Sequence, residues 1–187
     1  MGYSYQFIKI EEFIHFLLLS QIKQLEIDLK DEDISLDTPL FYAYLQSTKI
    51  LTKLLLDFNK VKGLKWNLIL NSLALNSSIK VLQLESWELR SYYSDIVNLI
   101  RNNQSITSLN FPLSAFLLKI DFSEALVANK SLLYLRLECV RMDSDTAELL
   151  IKSNLKGIYL LGSNENDSIA TMIYTKIPKY FPEEKDK

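Results

Sequence analysis

One apolar pattern returns six times along the chain and limits what it can fold into. It is an aliphatic residue, two variable ones, an aliphatic, one variable, and an aliphatic or Phe. It stands at Ile22-Lys-Gln-Leu25-Glu-Ile27, Leu51-Thr-Lys-Leu54-Leu-Leu56 and Ile79-Lys-Val-Leu82-Gln-Leu84. It returns at Ile106-Thr-Ser-Leu109-Asn-Phe111, Leu132-Leu-Tyr-Leu135-Arg-Leu137 and Leu155-Lys-Gly-Ile158-Tyr-Leu160. The central residues Leu25, Leu54, Leu82, Leu109, Leu135 and Ile158 are spaced by 29, 28, 27, 26 and 23 positions. The alternation inside each return predicts a strand.

Between the returns the apolar residues change to helical spacing: Phe41, Tyr44 and Leu45; Ile69 and Leu73, with Ser72 as the weak member; Ile96, Leu99 and Ile100; Phe122, Ala125 and Leu126. Each of three helices is followed by Asn-x-Ser-aliphatic: Asn76-Ser-Ser-Ile79, Asn103-Gln-Ser-Ile106 and Asn129-Lys-Ser-Leu132. One short strand and one short helix bury too little apolar surface to stand alone. The units must therefore stack, strands in one parallel sheet and helices against it, around a continuous core. At ~1.5–3 kcal/mol per buried aliphatic side chain, the strand positions are the main source of stability.

These residues resemble the leucine-rich-repeat family. Leu51-Thr-Lys-Leu54-Leu-Leu56-Asp-Phe-Asn59-Lys-Val61 follows the family's strand consensus at each defined position, and the long period with its Asn-x-Ser lead-in is similar to the ribonuclease-inhibitor-type subfamily. The resemblance spans about residues 21–175. It implies an α/β solenoid of about six repeats with helical caps, a curved parallel sheet on the concave face and helices on the convex face. It also implies a ladder of Asn side chains just after the strands, but only Asn59 holds that place; elsewhere stand Lys30, Trp87, Ser114, Val140 and Ser163. The short spacing before Leu155 predicts a shortened or displaced fifth helix. The expected organisation is a capping helix within 1–20, repeats over 21–162, and a C-terminal helix or cap with a charged tail over 163–187. Asp167 is placed to N-cap that last helix, and the chain beyond Pro178 reads as a mobile tail.

With a formal charge of −2 the chain has no basic excess for a phosphate backbone, so no nucleic-acid partner is expected. No apolar stretch reaches the ~20 residues of a membrane span, and no secretion signal is recognisable. A single cysteine, Cys139, allows no internal disulfide and fits a reducing, cytoplasmic setting. His15 is the only histidine and Cys139 the only cysteine, so neither a zinc cluster nor a Cys–His pair is expected, and no phosphate-binding Gly-rich loop is present. No enzyme activity and no cofactor are expected. Asn-x-Ser at positions 76, 103, 129 and 166 matches the glycosylation pattern, but the repeat already accounts for the first three. Tyr92 and Tyr93 fall on the helix side and read as filler.

In the fold that the resemblance implies, alternate strand residues face away from the core. They include Glu26, Asp28, Lys53, Leu55, Asp57, Gln83, Glu85, Asn110, Tyr134, Arg136, Glu138 and Tyr159, the candidate partner-binding residues. Asp28, Asp57, Glu85 and Glu138 form an acidic column interrupted by Pro112. Strands ~4.8 Å apart would align these carboxylates. Such a stripe suits a partner protein with a basic patch, and Tyr134, Arg136 and Tyr159 are residue types that anchor interfaces. The expected function is non-catalytic protein binding. Two settings stay open: a translocated bacterial effector in a host cytosol, or an adaptor or regulatory subunit in its own cell.

Overall fold

The computed structural model describes residues 10–28, 38–59, 61, 63–161 and 168–182; for residues 10, 11, 112–116, 138–140 and 161 it describes the backbone alone. Six strands lie in one sheet in the order of the chain: β1 (Gln24–Asp28), β2 (Lys53–Asp57), β3 (Val81–Glu85), β4 (Ser108–Leu117), β5 (Tyr134–Arg141) and β6 (Gly157–Leu161). Every pairing is parallel. The described helices are α1 (Ile10–Leu19), α2 (Pro39–Ser47), α3 (Trp66–Leu75), α4 (Tyr93–Asn102), α5 (Ile120–Ala128), α6 (Ser144–Leu150) and α7 (Ser168–Tyr174). A 3-10 turn at Trp87–Tyr92 leads into α4. The sequence periods thus become an α/β fold in which strand and helix alternate. α6 has seven residues where α2 to α5 have nine or ten, as the short spacing before Leu155 requires.

Register follows the repeat. Leu25, Leu54 and Leu82 are direct partners across three strands, and Leu109, Leu135 and Ile158 across the next three; Leu82 is also partnered with Leu109. The helical residues read from the sequence, among them Phe41, Leu45, Ile69, Ile96, Phe122 and Ala125, are buried with the strand aliphatics in one core. Helix starts have local causes. Thr38 accepts the amide of Phe41 at 3.2 Å and Pro39 stands at the first helical position. Asp143 caps α6 by accepting the Thr146 amide at 2.8 Å; Thr146, through its side chain first and then its backbone, holds the Asp143 carboxyl below the usual range.

The Asn ladder exists, but at the other end of the strand. Asn76, Asn103 and Asn129 each terminate a helix and are almost fully buried. Asn103 donates from Nδ2 to the carbonyls of Leu73 and Asn76, both at 2.8 Å, and accepts its own Ser105 and Ile106 amides at Oδ1, both at 2.8 Å. Asn76 and Asn129 repeat the arrangement one unit before and one after. The Asn-x-Ser lead-in is therefore the structural ladder of this chain, and its three amides are sealed in the core. Asn166 lies outside the described residues.

Candidate partner-binding face

In β1, β2 and β3 burial alternates along the strand, and Glu26, Asp28, Lys53, Leu55, Asp57, Gln83 and Glu85 hold the more exposed positions. In the first three strands the register brings Asp28, Asp57 and Glu85 side by side, and next to them Glu26, Leu55 and Gln83. Glu26 and Asp28 are exposed, while Lys53, Leu55, Asp57, Gln83 and Glu85 are half-buried by their neighbours. The line is electrostatically crowded at Glu85. Its carboxyl is raised from the ordinary value, first by partial burial, then by the charges of Asp57 and Glu26; a hydrogen bond from Gln83 and the charge of Arg136 oppose the rise. Asp57 is occupied locally, accepting the Asn59 backbone amide at 3.1 Å and the Asn59 side chain at 2.8 Å. Asn59, which follows the family consensus, thus orients an acid on the open face.

The acidic column does not continue as expected. β3 and β4 remain paired only through Gln83 and Asn110, and β4 then bulges so that Ala115, not Pro112, is partnered with Glu138. Pro112 has no N–H to donate to the ladder, so pairing breaks where the sequence places it. The side chain of Glu138, like that of Cys139, lies outside the described residues. Asn110 is also misread by sequence: it is buried, and its Nδ2 donates to Gln83 Oε1 at 2.9 Å. Gln83 in turn donates to Glu85. A polar chain, Asn110 to Gln83 to Glu85, thus crosses two strands. Asn110 Oδ1 and Arg136 Nε are buried with no hydrogen-bond partner among the described residues.

Beyond the acids the face is basic and aromatic. Arg136 lies over the Tyr159 ring, 5.4 Å from its centroid, and Tyr134 is packed by Tyr180. Sequence reading missed Lys179 and Tyr180. The chain after Pro178 is not a free tail as far as residue 182: Pro178 accepts the Ile158 amide at 3.0 Å and Lys179 bridges to Ile158. The signal was the Lys-Tyr-Phe run inside a charged terminus, where two rings are out of place in a solvated tail. Trp87, Leu117 and Ile120, near the C-terminal ends of β3 and β4, are large apolar side chains left more than half exposed.

His15 is exposed on α1. Tyr92 and Tyr93 are ties rather than filler. Tyr92 donates to the Leu64 carbonyl at 3.2 Å, and Tyr93 donates to Asp121 at 2.8 Å while accepting the Lys119 amide at 3.0 Å. An interior gap lined by Leu99, Ile100, Asn103 and Leu132 measures about 10 Å³, room for about one water. Among the described residues no group of His, Cys, Asp and Glu is arranged to hold a metal ion. No described helix is long and apolar enough to cross a membrane.

No family model and no curated protein matches the chain. Among solved structures, a chain described as the leiomodin-1 actin-binding site 2 is similar in fold, with a TM-score of 0.54 over 79% of this chain and 90% of that one. The two are 13% identical, so the likeness is one of fold.

Proposed function

We propose that this chain is a non-catalytic protein-binding module that holds a partner on the open face of its sheet. The observation that carries the reading is the in-register row Asp28, Asp57 and Glu85 with Glu26 beside it, a cluster of one charge sign at the exposed and half-buried positions of the first three strands. Such a row favours a basic patch on a partner and speeds encounter. The likeness in fold to a solved actin-binding site is compatible with a protein partner. On this reading the units form a leucine-rich-repeat solenoid of the ribonuclease-inhibitor type, with the open face concave. α1 closes one end near residue 20, and α7 with the segment after it closes the other.

The test is charge reversal. The immobilised chain, its Asp57→Lys/Glu85→Lys variant and a helix-side control, Glu124→Lys/Glu148→Lys, are compared for partner capture at low and high salt. The expected result is a salt-sensitive partner retained by the wild type and the control and lost from the open-face variant. Retention of the same proteins by all three would reject the acidic face as the binding surface.

A further inference from the structure

The last described residues fold back onto the end of the sheet. Ile177 is buried, Pro178 accepts the Ile158 amide at 3.0 Å, and Lys179 pairs in parallel with Ile158 at the edge of β6. The Lys179 ammonium stands 5.6 Å from the ring centroids of both Tyr159 and Tyr174. The Tyr180 ring meets Tyr134 edge-on at 5.9 Å. Its backbone passes so close to Gly157 that a β-carbon there would lie 2.3 Å from the Tyr180 carbonyl oxygen. The groove therefore has defined chemistry: two tyrosine faces for a cation, a tyrosine edge for an aromatic ring, an edge amide for a carbonyl, and a glycine floor that admits a backbone.

The strap is lightly held. Tyr180 remains 52% exposed, and Lys179 and Pro178 are exposed as well. The next inward-facing residue of the edge, Leu160, has its amide bonded to the Tyr174 hydroxyl at 3.1 Å, a partner on α7 and not on the strap itself. Release of residues 178–182 uncovers the faces of Tyr159 and Tyr174, the Tyr134 ring and the Ile158 amide. Such a weakly anchored terminal segment belongs to the low-stability end of local opening.

We infer that Tyr134, Gly157, Tyr159 and Tyr174 form a recognition groove for an extended peptide segment carrying a lysine followed by an aromatic residue, occupied in the free protein by the chain's own Pro178–Tyr180 strap. A partner segment of the same chemistry enters when the strap leaves. The partner half of this inference rests on the protein-binding reading; occupancy by the strap does not. Because the strap competes at an effective concentration on the order of millimolar, a free peptide binds the wild type poorly.

The test uses the full chain, its Lys179→Ala/Tyr180→Ala variant, and a labelled peptide copying residues 177–182 with a control in which its Lys and Tyr are Ala. Amide exchange at Ile158 is expected to rise at least tenfold in the variant. The peptide is expected to bind the variant at least tenfold more tightly than the wild type and to restore Ile158 protection, while the control peptide does neither. Gly157→Ala in the otherwise native chain should raise exchange at Ile158 with the strap side chains intact. Unchanged exchange in both variants would overturn the strap. Equal affinity of the two peptides, or of the peptide for both chains, would overturn the groove. Peptide binding that survives Asp57→Lys/Glu85→Lys, with partner capture also unchanged, supports the groove and rejects only the acidic face.

Discussion

Asn103 uses every hydrogen-bonding atom of its side-chain amide: two carbonyls of the preceding unit accept from it, and two amides of its own unit donate to it. Removing a buried group of this kind leaves its partners unpaired as well. Asn103→Ala is expected to destabilise the fold by about 2–4 kcal/mol, read from the urea midpoint. Asn154→Ala, whose side chain makes one 3.3 Å bond from an exposed position, should stay within about 0.5 kcal/mol. Similar losses at both sites would mean that the ladder does not tie the units. Glu85 makes the opposite kind of contribution. Its folded carboxyl is raised above the unfolded value, so the stability linked to its neutral form is complete below the unfolded value and lost as pH rises through the folded one. At neutral pH its charge is a cost. Glu85→Gln is therefore expected to be more stable than wild type at pH 7, by about 0.5 kcal/mol for a partly exposed and screened group. The gap should close on acidification through the carboxylate range; thermal melts across that range check it, and a pH-independent gap would count against the raised carboxyl.

The connection from α4 to α5 depends on a phenol. Tyr93 stacks against Phe122 with centroids 6.3 Å apart, donates to Asp121 and accepts the Lys119 amide at the entrance to α5. Burial, and the Asp121 carboxylate that accepts its proton, push its pKa up to about 12. The stability from the neutral phenol is complete below the ordinary tyrosine value and lost as pH rises through about 12. Tyr93→Phe keeps the ring and loses the bonds, an expected cost of about 1 kcal/mol at neutral pH. A spectroscopic alkaline titration should lose a phenolate step at about 12 in this variant; retention of that step would assign it to another tyrosine. β4 shows the element scale from the other side. Its sequence reads as an ordinary repeat strand through Phe111, yet Pro112 breaks its ladder with β3 and the strand runs on, bulged, to Leu117 beside β5.

At the scale of the whole molecule, each strand pairs with its neighbours in the sequence. Stability in such an arrangement is close to a sum of units and their interfaces. Inner strands gain from two interfaces and terminal elements from one. Hydrogen exchange is expected to be slowest in β2 to β5 and fastest in α1 and α7; uniform protection would argue for a single indivisible unit. Leu109, buried and flanked in register by Leu82 and Leu135, should cost about 2–5 kcal/mol on truncation to Ala, measured by chemical denaturation.

Period and alternation in the sequence determined the strands, the register of their core aliphatics and the helix faces, because a hydrophobic pattern of period two or 3.6 assigns each side chain to a face before any tertiary contact forms. The Asn-x-Ser motif was visible too, although its role was not: whether an amide closes a ladder depends on carbonyls about 26 to 31 residues away. Only the tertiary structure decided the rest. It broke the acidic column at Pro112, buried Asn110, raised Glu85 among its neighbours, and laid Lys179 and Tyr180 on the sheet. Each of these is set by what a neighbouring unit or the returning chain brings to a position, and local pattern carries no record of that.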